Sequence, residues 1–200
     1  MKKEIKAIIF DYGGVLSVHG KFHSICIKYA IKLNKNPLKF IKLVRENWNK
    51  AKVNKINSKL FWEKLADSLG EDAEFVRKQT MDYFGFREDV FNLIKKLKKN
   101  YKIALLSNQI EDWLEEVIKE KNFKEVFDVI VTSYQFKIAK PDIRIFKETI
   151  KKLGVKPEEC IYIDDLKKNR PPVKELGMKF ILFKNYSQLK KELKKLSIII

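Results

Sequence analysis

Apolar runs of strand length alternate along this chain with segments in which apolar residues recur every three or four positions. The short runs are typical of buried strands, and the longer periodic segments are typical of helices with one buried face. Each of the three middle runs is followed by polar residues and then by a helical segment. This order predicts an α/β fold with a doubly wound, Rossmann-like parallel sheet. The predicted strands comprise residues 7–10, 103–107, 129–132, 160–163 and 180–183.

The interval between the first and second predicted strands is about ninety residues long, which is too long for one crossover connection. Breaks at Asn36-Pro37, Asn57-Ser58 and Gly70 divide it into segments of helical period. We therefore predict a small α-helical cap domain at 17–85, inserted after the first strand into a core domain formed by 1–16 and 86–200. A further helix over 90–99 returns the chain to the sheet. The four cap helices are predicted over residues 22–33, 40–48, 60–69 and 75–84.

The composition is that of a folded protein. Hydrophobic residues make up 45% of the 200 residues and aromatic residues 12%, which is enough for a packed core and excludes a disordered chain. No apolar run approaches the ~20 residues that cross a bilayer, and Lys6 interrupts the first run. We expect a soluble, cytoplasmic protein that does not contact a membrane. Cys26 and Cys160 are expected to be buried free thiols.

The net charge of +17 raises the question of nucleic-acid binding, because a basic surface attracts polyanions. Lysines, however, recur throughout the chain at helical spacing, as they do on the solvated faces of amphipathic helices. Only five of the basic residues are arginines, the usual readers of bases and phosphates. A nucleic-acid partner is therefore unlikely, and nothing in the sequence indicates an oligomeric state.

Polar residues that can carry chemistry follow the predicted strands. In an open parallel sheet, ligands bind beyond the carboxyl ends of the strands, so these residues are expected to converge. Crowded carboxylates raise one another's pKa values unless a cation neutralises them, and Mg²⁺ prefers oxygen ligands. A metal, a lysine, a hydroxyl and a glycine turn together suit a phosphate substrate. The residues are Asp11, Gly13-Gly14, Ser107-Asn108, Lys140 and Asp164-Asp165.

These residues lie in four motifs, and together they resemble those of the haloacid dehalogenase superfamily, in its branch with a helical cap after the first motif. The resemblance covers the chain except for the cap, where only helical content and position are similar. Each motif is weak alone, whereas four in order at strand ends are specific. The motifs are Ile-Ile-Phe-Asp-Tyr-Gly-Gly-Val-Leu at 8–16, Leu-Leu-Ser-Asn at 105–108, Lys-Pro-Asp at 140–142 and Ile-Tyr-Ile-Asp-Asp at 161–165, followed by Asn169.

The resemblance implies a role for each of these residues. Asp11 would be the nucleophile, forming an aspartyl phosphate that water hydrolyses. Mg²⁺ would be held by Asp11, the carbonyl of Gly13, Asp164 and Asp165, with Asn169 supporting the carboxylates. The catalytic set would be Asp11, Ser107 and Lys140, and the phosphate would be bound by Tyr12, Gly13, Ser107, Asn108 and Lys140.

One position departs from the phosphatase pattern. Most phosphatases of the superfamily have a second aspartate two residues after the nucleophile as general acid, and here that residue is Gly13. General acid catalysis is commonly worth about 10²–10⁴-fold. His19 and His23 are candidate substitutes, although a structural role is favoured for both. A substrate with a good leaving group would need no acid.

The favoured function is a Mg²⁺-dependent phosphatase acting on a small phosphorylated metabolite of the sugar phosphate or nucleotide class. The main alternative is a catalytically weak binding or regulatory protein on the same fold. Dehalogenation is disfavoured because dehalogenases of the superfamily lack the paired acids that hold a metal, and this chain has both, Asp164 and Asp165. Binding of nucleic acid or polyphosphate is the weakest reading, and a phosphotransferase remains an alternative.

Overall fold

The computed structural model describes residues 4–200 and contains a five-stranded sheet in which all neighbouring strands are parallel. The strand order is β3-β2-β1-β4-β5, so β1 lies at the centre, between β2 and β4. This confirms the predicted parallel α/β sheet. The strands are β1 Ala7–Phe10, β2 Lys102–Ser107, β3 Val129–Thr132, β4 Cys160–Asp164 and β5 Lys179–Leu182.

Helices cover both faces of the sheet. Successive side chains of a strand point to opposite faces, so Ile8 and Phe10 of β1 join one apolar core while Ala7 and Ile9 join the other. Because both faces are buried, β1 is apolar throughout. The helices on the first face include α5 Glu88–Leu97, α6 Glu111–Glu120, α7 Phe123–Val126 and α11 Tyr186–Lys195, and those on the second are α9 Ile143–Leu153 and α10 Arg170–Glu175. A short helix, α8 Ser133–Phe136, follows β3, and 3-10 turns span Pro157–Glu159 and Lys167–Asn169.

Four helices lie between β1 and α5, as predicted from the apolar spacing. Asn36, Asn57 and Asp72 cap the second, third and fourth with side-chain oxygens that accept backbone N–H bonds. The second helix is longer than predicted, because Asn36 caps it and Pro37 occupies its first turn, where a missing N–H costs little. The helices are α1 His23–Lys32, α2 Pro37–Ala51, α3 Ser58–Leu69 and α4 Ala73–Phe84.

The strand predictions were close. The bounds of β1 and β3 agree with the prediction, β2 begins one residue earlier and β4 ends one residue later. The prediction for β5 was wrong by one residue at each end, since the strand ends at Leu182; the N–H of Phe183 still donates to the carbonyl of Asp164. The thiols of Cys26 and Cys160 are free and buried, as expected.

The order of the strands brings the predicted site residues together at one edge of the sheet. Asp11 directly follows β1, Ser107 ends β2 and Asp164 ends β4, and these three strands are neighbours.

Within residues 4–200, no helix is long and apolar enough to cross a membrane. The division into a cap at 17–85 and a core at 1–16 and 86–200 remains a prediction, and the first three residues of that core lie outside the described residues.

Candidate active site

Lys140 lies at the centre of a buried cluster of charges. Its Nζ is 2.8 Å from Oδ1 of Asp11 and 3.1 Å from Oδ2 of Asp164, and both carboxylates are almost completely buried. The same ammonium donates to the carbonyl of Leu106 at 3.0 Å and to the hydroxyl of Tyr162 at 2.7 Å. Lys140 therefore bridges the ends of β1, β2 and β4.

Asp164 is held from several sides. Its Oδ1 accepts the N–H of Leu166 at 2.7 Å, and its Oδ2 accepts the side-chain amide of Asn169 at 2.7 Å and the hydroxyl of Tyr162 in a very short bond. Burial raises the pKa of Asp164, but Lys140 and these donors outweigh burial, so the pKa lies below its usual range. Asp164 is thus an ionised carboxylate fixed in place. The supporting role predicted for Asn169 agrees with this contact.

The other two carboxylates are less well compensated. Burial raises the pKa of Asp11 to about 8, Lys140 lowers it and the Asp164 charge raises it further. Burial and the Asp164 charge likewise raise the pKa of Asp165 to about 6. Carboxylates whose pKa values are raised in this way need more positive charge than one lysine supplies.

The three carboxylates suit a divalent cation. Ligand oxygens of Asp11, Asp164 and Asp165 all lie within 4.8 Å of one another. With Lys140 counted, the ionised cluster has a net charge of −2, which one divalent ion would balance. All the donors are hard oxygens, the ligands that Mg²⁺ prefers.

A phosphate would find hydrogen-bond donors beside this cluster. The hydroxyl of Ser107 is buried without a partner among the described residues, an arrangement that is costly unless a ligand accepts its hydrogen bond. The N–H of Tyr12 donates to Oδ1 of Asp11 at 2.7 Å and fixes that carboxylate. Asn108 uses its side chain to bind the backbone N–H and carbonyl of Lys140, at 2.9 and 3.0 Å, and so ties the loop after β3 to β2.

The loop after Asp11 folds tightly over Asp165. Gly14 has φ +71°, and a Cβ at this position would lie 2.6 Å from Oδ2 of Asp165. A Cβ on Gly20 would lie 2.9 Å from the same oxygen and 2.9 Å from Cα of Gly14. Both glycines are therefore required by close packing of the loop against Asp165.

A cavity of about 400 Å³ opens next to this site, between the helices inserted after β1 and the carboxyl ends of the strands. Gly13 and Asn108 line the end nearest Asp11, and Phe22, Val44 and Trp48 form an apolar wall. Trp62, in contrast, is buried among the aromatic residues of the core. Of these two tryptophans, Trp48 therefore lines the cavity and Trp62 does not.

The two histidines proposed as substitute acids have different surroundings. His19 stacks on the ring of Tyr83 with centroids 4.3 Å apart and lies outside the cavity. His23, at the first turn of α1, lines the cavity. Of the two, only His23 is therefore in a position to meet a substrate held there.

Tyr162 belongs to this cluster but was not among the site residues predicted from the sequence. It was treated as one apolar residue of the strand, yet its buried hydroxyl accepts from Lys140 and donates to Asp164. The signal was present: Tyr162 and Asp164 are two apart in β4, so their side chains lie on the same face.

The comparisons with known proteins agree with this geometry. A model of haloacid dehalogenase-like hydrolases matches residues 5–177. The chain belongs to this family. The superfamily resemblance of the four motifs is thereby confirmed, and the chain is assigned to a family of hydrolases.

Several curated relatives match. D-ribitol-5-phosphate phosphatase of Bacteroides thetaiotaomicron is 27% identical over 201 residues, which cover 94% of this chain and 97% of that protein. (S)-2-haloacid dehalogenase 4A of Burkholderia cepacia is 25% identical, over 82% of this chain and 76% of that protein. The match with bifunctional epoxide hydrolase 2 of Sus scrofa, at 28% identity, covers 50% of this chain and spans only 19% of that larger protein.

Solved structures share the fold. The HAD family enzyme bt-2542 from Bacteroides thetaiotaomicron has a TM-score of 0.79 with this chain at 24% sequence identity, over 94% of this chain and 99% of that one. The same enzyme in complex with magnesium and inorganic phosphate has a TM-score of 0.73 at 23% identity, over 92% and 98% of the two chains. These similarities confirm the predicted architecture over nearly the whole chain.

Proposed function

We propose that this chain is a Mg²⁺-dependent phosphatase that hydrolyses a small phosphorylated metabolite, of the sugar phosphate or nucleotide class, through an aspartyl phosphate on Asp11. The observation that carries the proposal is the position of Asp11: its Oδ1 lies 2.8 Å from Lys140, in a carboxylate cluster beside an unpartnered Ser107 hydroxyl. The full-length similarity to a D-ribitol-5-phosphate phosphatase supports it, as does the magnesium and phosphate complex of a protein with this fold.

The chemistry proceeds in two displacements. A carboxylate oxygen of Asp11 attacks phosphorus, the bond from phosphorus to the ester oxygen breaks, and the departing oxygen takes a proton from solvent water. Water then attacks the aspartyl phosphate, releasing inorganic phosphate and restoring Asp11. The raised pKa of Asp11 describes the metal-free site; with a cation bound, the carboxylate is ionised and able to attack.

Four protein groups would hold Mg²⁺: the carboxylates of Asp11, Asp164 and Asp165 and the carbonyl of Gly13. A bound ion would neutralise negative charge on the transferring phosphoryl group. Lys140 adds a fixed positive charge, and positioning and charge stabilisation supply most of the catalysis in phosphoryl transfer.

The remaining contacts bind the phosphate. Ser107 donates its free hydroxyl to a phosphate oxygen, and the backbone N–H groups of Gly13 and Asn108 donate to the others. The N–H of Tyr12, also expected to bind the phosphate, donates to Asp11 in this structure. The absence of a carboxylic acid at Gly13 leaves the leaving group without the usual proton donor, so esters of acidic alcohols should react fastest.

That same glycine favours a second candidate, a binding or regulatory protein that retains the metal and anion site but turns over poorly. The expectation of a cytoplasmic location also stays a prediction.

Phosphate release from p-nitrophenyl phosphate and from panels of sugar phosphates and nucleotides tests the first proposal, with Mg²⁺ or with a chelator. Release that requires Mg²⁺ and falls at least 10³-fold in Asp11→Asn is the expected result. Asp67→Asn, the same substitution at an exposed position of α3, is the matched control and should keep full activity. Equal background release from the wild type and Asp11→Asn would favour the binding protein instead.

A further inference from the structure

The cavity beside Asp11 extends well beyond the space that a phosphate needs. Its inner end is formed by Gly13 and Asn108, next to the nucleophile, and its outer part lies between α2 and the turn Lys167–Asn169. About 400 Å³ is room for an organic body attached to the phosphate. The chemistry of this outer part should therefore reflect the substrate.

Unpaired positive charges surround the outer part. Arg45 of α2 and Lys168 of the turn after β4 line the cavity at its exposed side, and within residues 4–200 neither side chain forms an ion pair or a hydrogen bond. Lys52, at the end of α2, is half-buried and bonds only to Oδ1 of Asn49, at 2.7 Å. Burial lowers the pKa of Lys52, and the nearby charge of Lys168 lowers it further. Lys168 thus repels Lys52, which lies at the end of α2 and does not itself line the cavity.

No aspartate or glutamate lines the cavity in the described chain, although acidic residues are common elsewhere. The oxygens of its two amide side chains are already in use. Asn108 binds the backbone of Lys140, and Oε1 of Gln109 accepts the N–H of Ile110 at 3.0 Å. The apolar wall leaves room for an organic body that packs on Trp48.

We propose that the substrate carries, besides the scissile phosphate, a second anionic group, a carboxylate or another phosphate, which binds between Arg45 and Lys168. This rests on the proposed phosphatase function and narrows its substrate class. Since Arg45 belongs to an inserted helix and Lys168 to the sheet edge, the second anion draws the two sides of the cavity together. It also relieves the repulsion between Lys168 and Lys52.

A pair of substrates that differ by one charge tests the proposal: phenyl phosphate and 4-carboxyphenyl phosphate, with phosphate release as the readout. We expect the wild type to have the higher kcat/KM for the carboxylated ester. In Arg45→Gln and in Lys168→Gln, the ratio of the two kcat/KM values should fall about tenfold, mainly through KM, as expected for the loss of one charged hydrogen bond. Lys39→Gln removes an exposed charge from the same helix α2, outside the cavity, and should leave the ratio unchanged.

Calorimetric titration of the two esters into Asp11→Asn in the presence of Mg²⁺ gives a second readout that does not require turnover. Tighter binding of the carboxylated ester, lost when Arg45→Gln is added, would support the proposal even if hydrolysis is slow. Equal hydrolysis and equal binding of both esters would overturn the second anion site and leave the phosphatase intact. Hydrolysis of neither ester or of any panel phosphate would instead refute the proposed function, and the titration would still decide on the anion site.

Discussion

Asp112, in the first turn of α6, joins the inserted helices to the core, beside the ion pair of Arg77 with Glu116. Its Oδ2 accepts the indole N–H of Trp62 at 2.9 Å and Nε of Arg77 at 3.1 Å, and its backbone N–H donates to the hydroxyl of Ser58 at 3.3 Å. Ser58, Trp62 and Arg77 belong to α3 and α4. We predict that Asp112→Ala detaches this pair of helices from α6 and destabilises the protein.

The magnitude follows from the burial of the partners. Trp62 is 3% exposed, so the loss of its acceptor leaves a buried N–H unsatisfied, at a cost of about 1–3 kcal/mol. The ion pair with Arg77 is worth at most about 1 kcal/mol, since the Asp112 side chain is 32% exposed and screened by solvent. We expect Asp112→Ala to lower the free energy of unfolding by about 2–4 kcal/mol, and Asp112→Asn, which keeps an acceptor, by only about 1 kcal/mol.

Urea unfolding followed by far-ultraviolet circular dichroism measures these changes, and a double-mutant cycle with Trp62→Phe isolates the hydrogen bond. Phenylalanine removes the orphaned N–H, so Asp112→Ala should cost about 1–2 kcal/mol less in the Trp62→Phe background. Additive effects, within about 0.5 kcal/mol, or equal losses for the alanine and asparagine variants would refute the reasoning.

Three further results are expected. In Asn169→Ala, the Mg²⁺ concentration for half-maximal phosphate release should rise about 10–100-fold, because Asp164, a proposed metal ligand, loses a hydrogen bond; an unchanged Mg²⁺ dependence would contradict this. Gly20→Ala should reduce phosphate release at least about tenfold, since its Cβ would meet Asp165 at 2.9 Å, and full activity would show that the loop adapts. Burial raises the thiol pKa values of Cys26 and Cys160 to about 12, so at pH 8 a thiol reagent should label neither in the folded protein and both in denaturant; rapid labelling of the native protein would count against the packing.

The hydrophobic pattern predicted the secondary structure well where local signals are strong. The predicted break at Asn57-Ser58 coincides with an observed cap, because an asparagine side chain satisfies helix N–H groups in the same way in any context. The ends of β5 were predicted less accurately, because the pattern of apolar residues does not mark the residue at which a strand begins or ends. Asp11, Lys140 and Asp164 were predictable from the motifs, and parallel neighbouring strands bring such residues to one edge.

Contacts between distant segments were not predictable. Trp62 and Asp112 are 50 residues apart, and no sequence pattern links an indole in one helix to a carboxylate in another. Tyr162 was hidden by its position in an apolar strand, although it shares a face with Asp164. Arg45 is one of many basic residues in the sequence, and only the folded structure shows that it lines the cavity.

The central position of β1 also constrains how the protein matures during synthesis. β1 pairs with β2, which begins at Lys102, and with β4, which begins at Cys160. The strand that precedes Asp11 is therefore synthesised before both of its neighbours, and its second edge stays unpaired until β4 has been made. A nascent or truncated chain that ends before β4 would lack Asp164 and Asp165, two of the three carboxylates of the candidate metal site. Such a chain would also expose β1 as an unpaired edge, which makes it a natural target for chaperones and proteases.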